Sequence, residues 1–380
     1  MMSVKERIAL LLSIKEKGKL VDFDHIIEKV SRDVKFLEKR DLSKDEIISN
    51  LKILEEEGLI KNINGRYMAE DKIHEYIFNI IREKEKILNR SYILVWKAKH
   101  YYPIAGNLML PYLKDRPTSV VKIFSGKNNP IEEIDPIFVR YAKYKPKPQH
   151  IIINSLDKLM EYVHDHCIDF IPYVHKLNTN EPDLFVLDLD AGKKIFEKEN
   201  GFEFLKFLTK ELYEMLVEFE IKPIIKFSGS RGFQIWARFD NSKFKTKEDL
   251  FAEYRKLAIK IQNIFEKRLQ NKRKVIEEKY PEFKDLKEFT TSQVAHKEER
   301  EDKILVDWSS MKPQGDVRAP FSIHYKTGYV SIPIKVKDLE KFKPEDAEPM
   351  KIIEEIKIGK SFPELEISNP SFLLEGIEKL

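Results

Sequence analysis

The chain has 380 residues, 42% hydrophobic and 35% charged, enough for one large folded domain and a small one. Its 68 basic side chains nearly balance 64 acidic ones, leaving +4, so composition alone does not mark a nucleic-acid binder and any basic groove must come from local clustering. The one cysteine, Cys167, excludes an internal disulfide framework and a multi-thiolate zinc site, and no apolar run approaches the roughly 18 residues of a membrane span. A reducing, cytoplasmic setting without a membrane partner is the expectation.

In chain order, Ile8, Leu11, Leu12 and Ile14 predict a first helix. Ser43-Lys44-Asp45-Glu46 reads as a capping box for a second helix, whose Ile47, Leu51 and Leu54 recur at helical spacing until Gly58 stops it. Leu59–Ile63 and Arg66–Met68 flank Asn64-Gly65, a two-residue hairpin turn. Helix, capped helix and hairpin are the layout of a small winged-helix-like domain over residues 1–69, with 70–90 as a connecting helix. The second helix ends in Glu55-Glu56-Glu57, which suits a phosphate-facing surface poorly, so protein contact stays open beside DNA contact.

Strand-like runs follow at Tyr92–Trp96, Val120–Phe124, Leu184–Leu187, Ile224–Phe227, Gln234–Phe239, Ile304–Val306 and Tyr329–Ile332. Helices are expected at 155–165, 201–219 and 247–279. This mixture predicts an α/β (α+β) domain over 91–380, built around a central sheet.

Three segments carry chemistry. Leu184-Phe185-Val186-Leu187 runs into Asp188-Leu189-Asp190, two carboxylates at i and i+2 that share one side of a strand. Like charges held that close repel, and a cation between them is the usual compensation, although a solvated strand end remains the plain alternative. Next, Lys226-Phe227-Ser228-Gly229-Ser230-Arg231-Gly232-Phe233-Gln234 joins two strands through a loop suited to oxyanions: glycine amides, serine hydroxyls and a bidentate arginine. A simple turn accounts for the glycines equally well. The third segment, Ile304-Leu305-Val306-Asp307, is another apolar strand ending in a carboxylate, and the dozen residues Val317–Gly328 that come after it hold Arg318, Ser322, His324 and Lys326. Strand-borne aspartates with two polyphosphate-binding loops are a recipe for nucleotidyl transfer, with two metal ions roughly 3.5–4 Å apart activating a 3′-hydroxyl and stabilising the leaving pyrophosphate.

The order Asp-x-Asp, Ser-Gly-x-Arg-Gly, single Asp and Arg-x-Pro-x-Ser-x-His-x-Lys-Thr-Gly resembles the archaeo-eukaryotic primase superfamily over most of residues 95–350. Tyr101-Tyr102, the run Leu110–Pro117, the block His150–Asp190 and Phe289-Thr290-Thr291 look like the polymerase domain of bacterial end-joining ligase D. The Arg318–Gly328 loop is closer to the replicative primase small subunit, but a single cysteine cannot build that subunit's zinc knob, so no zinc is expected. The resemblance implies a primase–polymerase core with an RRM-like sheet module. It also implies Mg²⁺ or Mn²⁺ held by Asp188, Asp190 and Asp307, which are thereby the catalytic residues. Nucleoside triphosphate falls to Ser228, Gly229 and Arg231, assisted by His324, Arg318, Ser322 and Lys326. Where the family usually has His, this chain has Gln234, which can hydrogen-bond phosphate without carrying charge.

The expected activity is template-directed DNA or RNA polymerisation, with priming an open addition, in repair or replication. DNA template and primer are the expected macromolecular ligands, and a ligase or a primase subunit is the protein partner the resemblance allows. Basic residues on 266–274 (Lys267, Arg268, Lys272, Arg273) and in the loop holding Lys143, Lys145 and Lys147 are the candidate backbone contacts, against the alternative of a solvated charged face. A non-catalytic DNA-binding regulator with a degenerate core is the alternative that Gln234 encourages. A metal-dependent nuclease would leave Arg231 and the His324 loop without a purpose.

Overall fold

The computed structural model describes residues 2–15, 17–84, 90–124, 137–141, 143–144, 149–179, 181–245, 248–292 and 300–378. The chain parts into two compact units. The first comprises Met1–Pro103, Val121–Arg140 and Asp157–Ile168, and the second holds the remainder.

The first unit begins with helix Val4–Ser13, strand Val21–Asp22, helices Phe23–Glu38 and Lys44–Glu56, and a hairpin of Ile60–Ile63 with Arg66–Ala69. Asn64 and Gly65 both take positive φ, 53° and 80°, the geometry that an Asn-Gly two-residue turn requires. Val21–Asp22 adds to the hairpin as a third strand beside Arg66–Ala69. The helix Phe23–Glu38 is an addition to the sequence reading. Ile26, Val30 and Val34 supply its buried stripe at helical spacing. At the start of Lys44–Glu56, Ser43 accepts from the Glu46 amide as expected, but Glu46 does not return the bond. Its carboxylate is held instead by both terminal nitrogens of Arg40 at 3.0 Å. The connecting segment forms a helix over Ile73–Lys84.

Tyr92–Trp96 is helical, not a strand: it lies in the helix Arg90–Leu113. Ile93 to Trp96 are all buried, and a short run buried on every side has no period that tells strand from helix. The spacing of Trp96, Tyr101, Ala105, Met109 and Leu113, all buried, decides for the helix.

The second unit is organised by a sheet in the order Thr290–Ser292, Ile304–Asp307, Phe185–Ala191, Phe233–Phe239, Ile224–Phe227 and Pro333–Ile334, with Ile367–Ser368 pairing parallel to the end of Phe233–Phe239. Along Phe185–Ala191 and Phe233–Phe239 the side chains alternate between faces. Helix Gly201–Glu218 covers one face through Phe204, Leu205, Leu208, Leu212 and Leu216, and Phe202 of that helix meets Phe233 at 5.5 Å. Asp188, Asp190 and Gln234 belong to the other face. The predicted strand Tyr329–Ile332 is extended but forms only an isolated bridge, Ile323 to Val330. Its backbone pairs with the preceding loop (Ser331 N to Ser322 O, 2.8 Å; His324 N to Tyr329 O, 2.8 Å), and regular pairing starts only at Pro333. Helices 250–271 and 273–279 replace the single helix expected over 247–279. Among the described residues no helix is long and apolar enough to cross a membrane.

Candidate active site

Strand register builds the site. Asp188 stands directly opposite Asp307 on one neighbour and Gln234 on the other, and Gln234 in turn faces Lys226. Asp307, Asp188, Gln234 and Lys226 therefore form one row across a single face of the sheet, with cross-strand Cβ spacings of about 5 Å. Asp190 lies on the same face, one pleat along, beside Gly232: a Cβ at Gly232 would come within 2.3 Å of Asp190 Oδ1. A bare backbone at this position is what lets the carboxylate sit against the loop.

Burial pushes the Asp188 carboxyl far above the usual carboxylate range, and Asp190 and then Asp307 add repulsion, against a lowering hydrogen bond from Gln234. Asp190 is raised too, first by burial and with Asp307 adding, while Arg231 pulls it down. Gln234 Nε2 donates to Asp188 Oδ2 at 3.0 Å, and Trp236 Nε1 donates to Gln234 Oε1 at 3.0 Å. The amide expected on phosphate thus serves an aspartate. Lys226 is fully buried, its ammonium on Arg318 O and Ser331 Oγ at 2.7 Å each, and burial drives its pKa far down.

The Ser228–Gly232 loop is a tight connection within an antiparallel pair. Ser228 N donates to Gly232 O at 3.0 Å, and Ser228 Oγ accepts from the Ser230 and Gly232 amides at 3.3 and 3.2 Å. Ser228 therefore shapes the loop with its hydroxyl, and the exposed Arg231 is the loop's outward cation. Gly229 adopts φ +85°, and a Cβ there would lie 2.9 Å from His324 Cβ. Thr327 Oγ1 donates to Gly229 O, so this loop and the His324 loop are locked together. His324 Nδ1 accepts from the amides of Lys326 and Thr327 at 3.1 and 3.3 Å, and its ring stacks on Tyr325. The Lys326 ammonium lies 5.7 Å from the Tyr325 ring centre.

Arg318 and Ser322 are not presented as free anion ligands. Both are turned onto Asp169, a residue that the sequence motifs did not place in this site. Arg318 Nε lies 2.9 and 3.0 Å from the two Asp169 oxygens, Arg318 Nη2 lies 2.8 Å from Oδ2, and Ser322 Oγ lies 3.2 Å from Oδ1. The Tyr325 amide also donates to Asp169, and Arg318 Nη1 reaches Ser228 O at 3.2 Å. The signal was legible in principle: Asp169 interrupts Cys167–Pro172, six consecutive buried residues, and a buried charge demands a partner. Lys226 within Ile-Ile-Lys-Phe is the same kind of signal. Arg116, from the Leu110–Pro117 run, is buried and pairs through both terminal nitrogens with Asp183, anchoring the entry to the Asp188 strand.

A family model of the LigD primase-polymerase domain matches residues 97–359. The chain belongs to the LigD primase-polymerase family. Among solved structures, the polymerase domain of Mycobacterium tuberculosis ligase D, determined in complex with DNA, superposes with a TM-score of 0.50 at 17% identity, covering 70% of this chain and 88% of that one. That likeness carries the fold, which is the α/β class expected. The uncharacterized protein MJECS07 of Methanocaldococcus jannaschii is 25% identical over 261 residues, 64% of this chain and 53% of its own length. The chain thus aligns with about half of that relative.

The residues of this LigD-type site fit a divalent cation by one observation in particular. Asp188 Oδ1 is buried with no hydrogen-bond partner, beside Asp190 and Asp307, whose charges add to the burial that raises the Asp188 pKa. Among the described residues no three carboxylate, imidazole or thiol side chains are already drawn together as a ready-made cluster, so the fit rests on that orphaned oxygen and its neighbours.

The basic helix pair is largely committed within the protein. Arg268 donates to Glu218 at 2.6 and 2.9 Å and to Glu211 at 3.2 Å, and Lys272 pairs with Glu211 at 2.6 Å. Arg273 binds Gln270, Glu277 and the carbonyls of Leu286 and Lys287, with its guanidinium over the Phe289 ring. These three are internal fasteners rather than the phosphate contacts expected, because carboxylates of helix Gly201–Glu218 take up Arg268 and Lys272, while Gln270, Glu277 and two backbone carbonyls take up Arg273. Lys267 is exposed. The backbone of Lys143 lies in the two-residue strand Lys143–Tyr144, and Lys145 and Lys147 fall outside the described residues.

Proposed function

We propose that this protein is a template-directed nucleotidyltransferase that extends a DNA primer with nucleoside triphosphates, with Mg²⁺ or Mn²⁺ held by Asp188, Asp190 and Asp307. The observation that carries the reading is the row Asp307–Asp188–Gln234 with Asp190 beside it, on the sheet face where the interlocked 228–232 and 324–328 loops end. Family membership and a fold shared with a DNA-bound polymerase domain support it. Bound cations would lower the pKa of the attacking 3′-hydroxyl and offset charge on the pyrophosphate.

The chain's own contribution is positioning. Arg231 is exposed at the loop tip and suits the triphosphate oxygens, where a planar guanidinium binds two at once. His324 Nδ1 accepts from two backbone amides, so the ring's N–H is on Nε2. Asp169 acts one step back, holding Arg318 and Ser322 so that the His324 loop keeps its shape. The N-terminal helix–strand–helix–helix–hairpin is read as a winged-helix-like accessory that engages DNA or a protein partner.

The test is extension of a primed template and of an unprimed single strand, in Mg²⁺ and in Mn²⁺, with ribo- and deoxyribonucleotides. Asp188→Ala with Asp190→Ala should abolish product while circular dichroism stays native-like, and Arg231→Ala should raise the nucleotide KM. Product on the unprimed strand assigns priming as well. Undiminished extension by the double variant would sink the assignment.

A further inference from the structure

Gln234 and Trp236 lie two residues apart on one strand and so share the face that carries Asp188. Trp236 is fully buried, and its indole N–H donates to Gln234 Oε1 at 3.0 Å. An indole nitrogen can only donate, so it fixes which way round the amide stands: oxygen to the indole, NH₂ away from it. The NH₂ is thereby aimed at Asp188 Oδ2, 3.0 Å off. A flipped amide would set NH₂ against the indole N–H and its oxygen against the carboxylate, replacing two attractions by two repulsions. The indole itself is held by packing: Lys226 Nζ lies 4.8 Å from the Trp236 ring centre on one side, and Tyr112 meets the ring edge-on at 6.1 Å. With Oδ2 tied, Asp188 is left with a single unpartnered oxygen, the buried Oδ1.

We infer that Trp236 and Gln234 form a positioning relay, in which the indole sets the amide and the amide clamps Asp188 so that Oδ1 is the oxygen offered to a divalent cation. Neither residue touches substrate; both act through Asp188. The relay rests on the carboxylate-site reading above and specifies how this chain, with a glutamine in the row, keeps a crowded carboxylate in one rotamer.

The test is Mn²⁺ binding to the full chain without nucleotide or DNA, by isothermal titration and by loss of the free-Mn²⁺ resonance signal. Trp236→Phe removes the N–H and keeps a ring; Gln234→Leu removes the clamp and keeps most of the volume. Each should weaken Mn²⁺ binding by about 10- to 100-fold, the usual effect of losing a partner that orients a ligand. The double variant should bind no worse than Gln234→Leu alone, because the indole acts only through the amide. Gln234→Leu with unchanged Mn²⁺ affinity, or additive losses in the double variant, would overturn the relay. Asp188→Asn, measured alongside, separates the two levels. If it abolishes Mn²⁺ binding while Gln234→Leu does nothing, the relay falls and the site stands. If Asp188→Asn binds like the wild type, the site reading itself fails. Should Trp236→Phe not fold, Gln234→Leu and Asp188→Asn decide the matter between them.

Discussion

Replacing Asp169 by Ala removes the carboxylate on which the 318–325 segment is hung. Asp169 is 0% exposed and the Arg318 side chain 14%, so the variant strands a guanidinium whose remaining contact here is the Ser228 carbonyl at 3.2 Å. Removing one partner of a buried ion pair costs about 3–5 kcal/mol. The Ser322 hydroxyl and Tyr325 amide lose their acceptor as well, at about 1 kcal/mol each before water compensates, which puts the expected loss toward the upper end of that range. Urea denaturation at 25 °C should show it as a lower midpoint at unchanged slope. A second variant isolates the cause: Asp169→Ala combined with Arg318→Met removes both charges and should be more stable than Asp169→Ala alone. In extension assays the single variant should also raise the nucleotide KM, because the same segment carries His324 against Gly229. A loss below about 1 kcal/mol, or a double variant no better than the single, would refute the assignment of Asp169 as organiser of the loop.

The Asp188 carboxyl is pushed up from 3.8 to about 8, so its protonated form favours the folded state; that contribution is complete below pH 4 and is lost as pH rises through 8. The metal-free protein should therefore lose thermal stability across that window, and the Tm gain on adding Mn²⁺, which must displace the proton, should grow with pH; a pH-independent gain counts against the site. Gly229→Ala forces an L-residue to φ +85° and a Cβ to 2.9 Å from His324 Cβ, so a loss of about 1–2 kcal/mol with a raised nucleotide KM is expected from denaturation and steady-state kinetics. Of the four basic residues on 267–273, only Lys267→Ala should weaken DNA binding and flatten its salt dependence in fluorescence anisotropy. Arg268→Ala, which breaks pairs with Glu211 and Glu218, should lower Tm with little change in DNA affinity.

Features set by local periodicity and turn chemistry were legible in the sequence. Asp188 and Asp190 share a face because strand side chains alternate, Asn64-Gly65 turns because both residues accept positive φ, and helix Gly201–Glu218 declares itself through its apolar stripe. The order of those motifs along the chain was enough to point to the family. Features that depend on which distant strand arrives alongside were not legible. Register alone sets Asp307 opposite Asp188, and register turns Gln234 from a phosphate contact into a clamp on a carboxylate. The same holds for charge. Arg318 and Ser322 read as anion ligands until Asp169 takes them up, and Arg268 and Lys272 read as a DNA contact until Glu211 does. At 93–96 the local pattern was truly silent, since a run buried on every side has no period, and only the packing of Trp96 and Tyr101 along one helix chose between the two conformations. A side chain's type fixes what it can bind, but a charged group brought out of water binds whatever opposite charge the fold delivers first, and that partner is a property of the tertiary structure.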